Sequence, residues 1–461
     1  MPKRNLILFI IILAIILLTV LGYVFLSTSS TPTGTTQGTN FLAKFLPFGK
    51  STQAPTTVTP PANVSGYTPP TTPEAPIVKL NKVSSIAVAG YTVFQKERFK
   101  EMPVVVPATL PTDQTTSATT TPSVPATTKT NTKNKTVPAK PTAPLTEFVP
   151  AVRYVARATG NIYQSFADKI EERKFSSTII PKVYEAYFGS QGESVIMRYL
   201  GTDNNTIETF VGSLPKEILG ADTSGNIDIK GSFLPENITD MSISPDALKI
   251  FYLFNVGNSS VGITAGALGD KKSQVFDSPF TEWLSSWPNS KMVTITTKPS
   301  SNEPGYMYAI NPDKKDLNKI LGGINGLTTL TSPNGKLVLY SDSSLTLNIY
   351  NINTNSSSLI GLKSLPEKCI WGKNSDVIYC AVPKFINQES YPDAWYQGEI
   401  SFSDTLWKID PATGNSTIIS DPTSIAGGED TDGIKLSLDN SENYLFFINK
   451  KDSYLWELNL K

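Results

Sequence analysis

The feature that most constrains this chain is a turn-and-strand unit that recurs at nearly constant spacing. A turn with proline precedes an apolar strand in SISPDALKIFYLF, SWPNSKMVTITT and TSPNGKLVLYS, where Pro245, Pro288 and Pro333 lie 43 and 45 residues apart. WGKNSDVIYCAV and SLDNSENYLFFI continue the series without the proline. Proline presets φ at the first turn position, and Asp, Asn or Gly accepts the next two. A fixed period of this length indicates a repeat fold.

Each unit also carries enough strand for a small sheet. Residues 337–340 are apolar without a polar break, which suits a strand buried on both faces. A second hairpin follows in INPDKKDLNKI, YNINTNSSSLI and IDPATGNSTII. Four short strands in roughly 40–45 residues are typical of one propeller blade. The sequence therefore predicts an all-β fold, a β-propeller of four-stranded antiparallel sheets.

These turns resemble those of TolB-like and WD-repeat-like propellers, in which a Ser-Pro-Asp-Gly-Lys turn precedes an apolar strand. The resemblance covers residues 183–461 and extends less well to residues 77–182, and the Gly-His and Trp-Asp markers of true WD repeats are absent. The stretches LPEKCIWGKNSDVIYCAVP and YPDAWYQGEISFSD also resemble a membrane-anchored propeller family of small-genome bacteria. The resemblance implies the fold and no particular activity, because propellers include enzymes, scaffolds and receptors.

The units give a propeller over residues 77–461, with a Thr/Pro-rich insertion at 107–146 that we expect to be disordered. The last unit has only three strands, so PIVKLNK at residues 76–82 is expected to supply the fourth and close the ring. Seven blades are predicted, with six as the alternative because the second unit is poorly patterned. Their expected bounds are 77–181, 182–235, 236–280, 281–325, 326–365, 366–422 and 430–461.

The N-terminal part predicts a membrane anchor and a stalk. Residues 6–26 are uncharged and would span about 31 Å as a helix, enough to cross a bilayer core. Lys3 and Arg4 precede them, which favours residues 1–5 in the cytoplasm and the rest outside. A cleaved signal peptide is the alternative. Residues 27–76 are rich in Ser, Thr, Pro and Gly, which predicts a disordered stalk.

Composition excludes several classes of function. The chain has 40 basic and 40 acidic residues, so no nucleic-acid partner is expected. It contains no His, which excludes Ser-His and Cys-His nucleophile pairs and His metal sites. Glu429, Asp430 and Asp432 are close in sequence, but the spacing of a calcium loop is missing, so a solvated acidic loop is expected. We expect no metal and no cofactor.

The candidate ligand-binding site is the longest loop of the patterned region, residues 383–404. Its aromatic residues Tyr391, Trp395 and Tyr396 stand beside Asp393 and Gln397. Such groups can stack on a sugar or grip a peptide, and loops on a rigid scaffold often carry function. The alternative is that Trp395 and Tyr396 only pack the loop onto its blade.

Cys369 and Cys380 are the only cysteines, and they flank the turn GKNS on two expected neighbouring strands. Near-opposite positions predict a disulfide, which fits an oxidising compartment. Two buried free thiols are the alternative.

These features together predict a non-enzymatic binding or scaffold module, tethered outside the cell membrane, that recognises an envelope protein, peptide or glycan. The rival is an extracytoplasmic hydrolase that acts on glycans or peptides through two carboxylates, which need not be adjacent in the chain. Close carboxylates in a deep pocket would favour the hydrolase, and a shallow aromatic face would favour binding.

Overall fold

A computed structural model describes residues 80–100, 145–217, 219, 227–425 and 428–461. In this part of the chain, 28 strands form seven four-stranded antiparallel sheets, the blades of a β-propeller. The predicted fold with seven blades is confirmed, and the six-blade alternative is wrong. The expected anchor (6–26), the stalk (27–76) and nearly all of the insertion (107–146) lie outside the described residues. Among the described residues, no helix is long and apolar enough to cross a membrane.

Blades 1 to 3 each take four consecutive strands, ordered from the innermost strand outward. The first strand of the chain, β1 (Leu80–Lys82), belongs to blade 7. The others are β2 (Val88–Phe99), β3 (Thr146–Ala156), β4 (Ile162–Phe166) and β5 (Arg173–Lys174); β6 (Val183–Gly189), β7 (Ser194–Leu200), β8 (Ile207–Ser213) and β9 (Lys230–Phe233); β10 (Ile238–Ile243), β11 (Lys249–Val256), β12 (Ser259–Gly266) and β13 (Ser273–Ser278).

Blades 4 to 6 repeat this order, and blade 7 has three strands of its own. They are β14 (Trp283–Asn289), β15 (Met292–Thr297), β16 (Pro304–Ile310) and β17 (Leu317–Asn325); β18 (Thr328–Thr331), β19 (Leu337–Ser341), β20 (Thr346–Asn351) and β21 (Ser356–Lys363); β22 (Cys369–Trp371), β23 (Ile378–Pro383), β24 (Asp404–Ile409) and β25 (Ser416–Ser420); and β26 (Gly433–Leu438), β27 (Tyr444–Asn449) and β28 (Leu455–Asn459).

The ring closes as the sequence predicts. β1 pairs antiparallel with β28, with Leu80 opposite Leu458 and Lys82 opposite Trp456, and becomes the outer strand of blade 7. In blade 1, β2 and β3 pair along their whole length up to Phe99 opposite Thr146. The segments on either side of residues 101–144 therefore belong to one blade.

The recurring turn joins the innermost strand of a blade to the next strand. In blade 5, Ser332 Oγ donates to Asn334 Oδ1 at 2.8 Å and accepts from the Leu337 N–H at 3.0 Å. Gly335 holds a φ of 69°, a conformation that glycine adopts without strain. Ser244 closes the turn of blade 3 with the same kind of hydrogen bond. This local chemistry explains why the repeat is visible in the sequence.

The core lies between blades. Between blades 3 and 4, Phe251 and Leu253 of β11 pack with Trp283 of β14 and Ile295 of β15, and all are buried. Each sheet thus covers the apolar face of its neighbour, which a single blade cannot do alone.

Antiparallel order gives the propeller two faces. We call the face that carries turns such as residues 332–336 the turn face. Strand β28 ends on this face, and Leu80 pairs with Leu458 near that end, so β1 begins on the turn face. The opposite face carries the loop between β23 and β24, residues 384–403, and is called the insertion face.

Candidate functional site

The insertion of blade 6 folds over a small apolar cluster. It begins after Pro383 and ends before Asp404, and it contains one short helix, α1 (Asp393–Tyr396). Tyr391, Trp395 and Phe402 are buried and pack on Leu345 and Leu365. The rings of Trp395 and Phe402 are stacked with centroids 6.3 Å apart. The loop is therefore a packed part of the propeller.

Trp395 belongs to the core of this loop. Its side chain is 4% exposed, and its indole N–H donates to Asp432 Oδ2 at 3.0 Å. The same oxygen accepts from Ser401 Oγ and from the Phe402 N–H, each at 3.0 Å. The Trp395 ring therefore packs within the insertion and is not exposed on the face. Its hydrogen-bond partner, Asp432, lies 37 residues further along the chain.

A buried ion cluster lies beneath the insertion. Lys368, Asp404 and Asp432 are all fully buried. Lys368 Nζ donates to Asp404 Oδ2 at 2.8 Å, to Asp432 Oδ1 and to the Gly433 carbonyl at 3.1 Å. The three side chains come from the end of a 3-10 turn, Pro366–Lys368, from the start of β24 and from the segment before β26. They join blades 6 and 7 at the base of the insertion.

The two carboxylates of this cluster have different acidities. Burial, reinforced by the charge of Asp432 and only partly offset by Lys368, raises the pKa of Asp404 to about 6. Burial also opposes ionisation of Asp432, but Lys368 and the hydrogen bonds from Phe402 and Trp395 outweigh it and hold the pKa of Asp432 below its usual value. Asp432 is thus the ionised partner of Lys368.

The side chains of Glu429, Asp430 and Asp432 do not converge on a common site. Asp432 contacts Lys368, Glu429 pairs with Lys82 at 2.6 Å and Asp430 pairs with Lys451. No group of three or more acidic or Cys side chains that could hold a metal occurs in the described ranges.

Three other predicted site residues, Asp393, Tyr396 and Gln397, belong to α1 or follow it directly. Tyr396 is 37% exposed, and its hydroxyl donates to Glu367. Gln397 is exposed. Asp393 is partly exposed, and its Oδ2 accepts from the Ser301 N–H of blade 4 at 2.6 Å. Burial opposes ionisation of Asp393, but the bonds from Ser301 outweigh it and lower the pKa.

The innermost strands of the blades surround the central channel of a propeller. Glu367, which accepts from Tyr396, lies just before the innermost strand of blade 6, β22, and Asp240 lies on the innermost strand of blade 3, β10. The charge of Asp240 contributes to the raised pKa of Glu367. On two other innermost strands, Lys435 Nζ of β26 donates to Glu185 of β6 at 3.2 Å, and Arg198 also pairs with Glu185. We define the channel-mouth site as Glu367, Tyr396 and Gln397, with Asp240 behind them.

Two carboxyls of the channel, those of Asp240 and Glu367, hold protons more tightly than usual. Burial, only partly offset by hydrogen bonds from Ser285, raises the pKa of Asp240 to about 6. Burial, together with the charge of Asp240, raises the pKa of Glu367 to about 7. Sequence reasoning missed both residues, because no local pattern marks LPEK or ITDM as lining an axis.

Comparisons with known proteins give distant structural similarities only. No protein-family model and no curated protein matches the chain. One similar solved structure is an oligogalacturonate lyase in complex with manganese, at 8% identity over 68% of this chain and 85% of that chain, with a TM-score of 0.43.

Two further structures are similar at the same level. They are oligogalacturonate lyase from Vibrio parahaemolyticus (9% identity, 68% of this chain, 94% of that chain, TM-score 0.43) and TolB from Acinetobacter baumannii (11%, 56%, 59%, TM-score 0.37). At these identities and TM-scores the similarities carry no argument about function. The membrane-anchored family suggested by the sequence stays a prediction.

Replacing Glu367 with Gln should stabilise the protein above neutral pH. The folded-state pKa of about 7 exceeds the ordinary value of 4.5, so deprotonation of Glu367 destabilises the fold progressively as pH rises between these values. We expect the difference in unfolding free energy between variant and parent to grow to roughly 1–3 kcal/mol by pH 8. Urea titrations at pH 4.5 and pH 8 measure it. A difference that does not change with pH would contradict the assignment.

Cys369 lies directly opposite Cys380 in the β22–β23 pair, and the two sulfur atoms are joined as a disulfide. The expected register is therefore present. If the bond forms in the cell, thiol labelling of the denatured, unreduced protein will find no free Cys. Refolding with reductant should then lower stability by about 3 kcal/mol, the loop-closure value for this separation. A Cys369→Ala/Cys380→Ala variant is the control and should not respond to reductant. Two labelled thiols in the native protein would refute the pairing.

Proposed function

We propose that this propeller is an extracytoplasmic, membrane-tethered binding module that holds an envelope protein, peptide or glycan at the channel-mouth site. The observation that carries this proposal is that the insertion combines a buried anchor with exposed side chains beside it. Trp395 and its buried contacts fix α1 in place, whereas Tyr396 at the end of α1 and Gln397 directly after it remain exposed. A rigidly supported loop with an exposed aromatic ring and an exposed amide suits recognition, because little entropy is lost when a ligand binds.

The position of the site supports the same proposal. The first described strand, β1, begins at Leu80 on the turn face, opposite to the face that carries the insertion. Hydroxyl, carboxyl and amide groups at the mouth offer hydrogen bonds to a peptide backbone or to sugar hydroxyls. With equal numbers of acidic and basic residues, the chain has no overall charge to attract nucleic acid.

The test is partner capture from envelope extracts with the full chain as bait. A Tyr396→Ala/Gln397→Ala variant should lose a partner that the parent protein retains, while its thermal midpoint stays nearly unchanged. Phe280→Ala is the matched control, because Phe280 is 68% exposed on the insertion face but belongs to the link between blades 3 and 4. Equal capture by the parent protein and both variants would refute the site.

A carboxylate-dependent hydrolase for glycans or peptides is the second candidate. It is favoured by the two carboxyls of the channel, Asp240 and Glu367, whose pKa values are both raised, that of Glu367 partly by the charge of Asp240. Such a pair suits a general acid and a general base. Release of reducing ends or new amino termini from envelope material, abolished in Glu367→Gln and Asp240→Asn variants, would establish it. Equal release by parent and variants would exclude it.

The tether is tested separately. Protease added to intact spheroplasts should digest the propeller, because we propose that only residues 1–5 are cytoplasmic. A propeller that stays protected together with a cytosolic control protein would place it on the wrong side of the membrane.

A further inference from the structure

The buried cluster of Lys368, Asp404 and Asp432 is an unusual environment for three ionisable groups. All three side chains have no solvent exposure. The Trp395 and Phe402 rings cover Lys368, with centroids 5.5 and 5.4 Å from Nζ. Removing charges from water is costly, and within the cluster one ammonium faces two carboxylates. One carboxyl of the cluster therefore tends to hold a proton.

Two observations assign the proton to Asp404. The pKa of Asp404 is raised to about 6, whereas that of Asp432 is lowered. In addition, Asp404 Oδ1 is buried without a hydrogen-bond partner among the described residues, whereas Asp432 Oδ2 accepts three hydrogen bonds. A neutral carboxylic acid, an ammonium group and a carboxylate base thus lie in contact where water is excluded.

We propose that Lys368 and Asp404 condense into an isopeptide bond, with Asp432 as the base. Asp432 Oδ1 takes one proton from the Lys368 ammonium, and the freed lone pair of Nζ attacks Cγ of Asp404. Charge develops on Asp404 Oδ2, which accepts the Gly433 N–H at 2.7 Å. Oδ1 leaves as water after Asp432 returns the proton to it.

Atoms and charges balance in this step. A C–N bond forms, a C–O bond breaks and one water is released, with no oxidant or co-reactant. The nitrogen gives up a second proton, which remains on Asp432, so the product cluster is uncharged. The reaction thus replaces buried charges by a neutral amide and removes their desolvation cost. It covalently ties the start of β22 to the start of β24, at the base of the insertion.

Peptide mapping of the full chain tests the bond. After reduction and alkylation, trypsin should fail to cleave after Lys368, so residues 364–373 remain joined to residues 385–408 at a mass one water below the sum of the two peptides. Cleavage after Lys368 with peptide 385–408 at its unlinked mass would overturn the proposal. A link to peptide 409–435, which contains Asp432, would overturn the choice of Asp404.

Two controls make the result specific. Lys384 lies 2.6 Å from Asp421 in a partly exposed pair, and it should be cleaved completely in the same digest. Lys368→Arg keeps the positive charge but removes the nucleophile, so it should restore cleavage at position 368 and release peptide 385–408 unlinked. Persistence of the linked mass in this variant would also contradict the proposal. The wild-type digest decides the matter even if the variant folds poorly.

Discussion

Replacing Trp395 with Ala is expected to lower the free energy of unfolding by about 3–5 kcal/mol, the usual cost of truncating a buried large aromatic side chain. Trp395 is 4% exposed, stacks on Phe402 and supplies one of the three hydrogen bonds to Asp432 Oδ2. Truncation would leave a cavity and remove a donor from a buried carboxylate. Chemical denaturation measures the change.

The matched control is Tyr396→Ala, one residue further along α1. Tyr396 is 37% exposed, so its truncation should cost less than about 1 kcal/mol. Equal losses for the two variants would mean that α1 does not divide into a buried anchor and an exposed edge.

Replacing Lys368 with Ala should be as damaging, at about 3–5 kcal/mol, because it leaves Asp404 and Asp432 buried without the side chain that contacts both of them. Lys384→Ala is the control, since its pair with Asp421 is partly exposed and should be worth about 1 kcal/mol or less. Denaturation midpoints of the two variants, measured side by side at pH 7, make the comparison. Similar midpoints would contradict the structural role of the cluster.

Much of the fold was predictable because its signals are local. The recurring turn is closed by hydrogen bonds between residues two to five positions apart, from Ser332 Oγ to Asn334 Oδ1 and from the Leu337 N–H to Ser332 Oγ, so it leaves a recurring sequence pattern. The one strand missing from the last unit was expected from residues near Pro76, and β1 does complete blade 7. The bounds of the insertion also match the sequence expectation, because apolar strands flank it on both sides.

The chemistry of the site was less predictable, because it depends on residues far apart in the chain. The Trp395 indole finds its hydrogen-bond partner in Asp432, and the cluster beneath it joins Lys368 to the same residue, 64 positions further along the chain. Likewise, the charge of Asp240 affects Glu367 only because the ring brings β22 and β10 to a common axis. The residue spacing within one blade cannot predict such interactions between blades.

The most direct test of the channel-mouth site is photo-crosslinking in intact cells. A photoreactive amino acid replaces Gln397 in one variant and Phe280 in another, and both lie exposed on the insertion face. We predict a discrete crosslinked product from position 397 that is absent from position 280. No product from position 397, or the same product from both positions, would contradict recognition at the channel mouth.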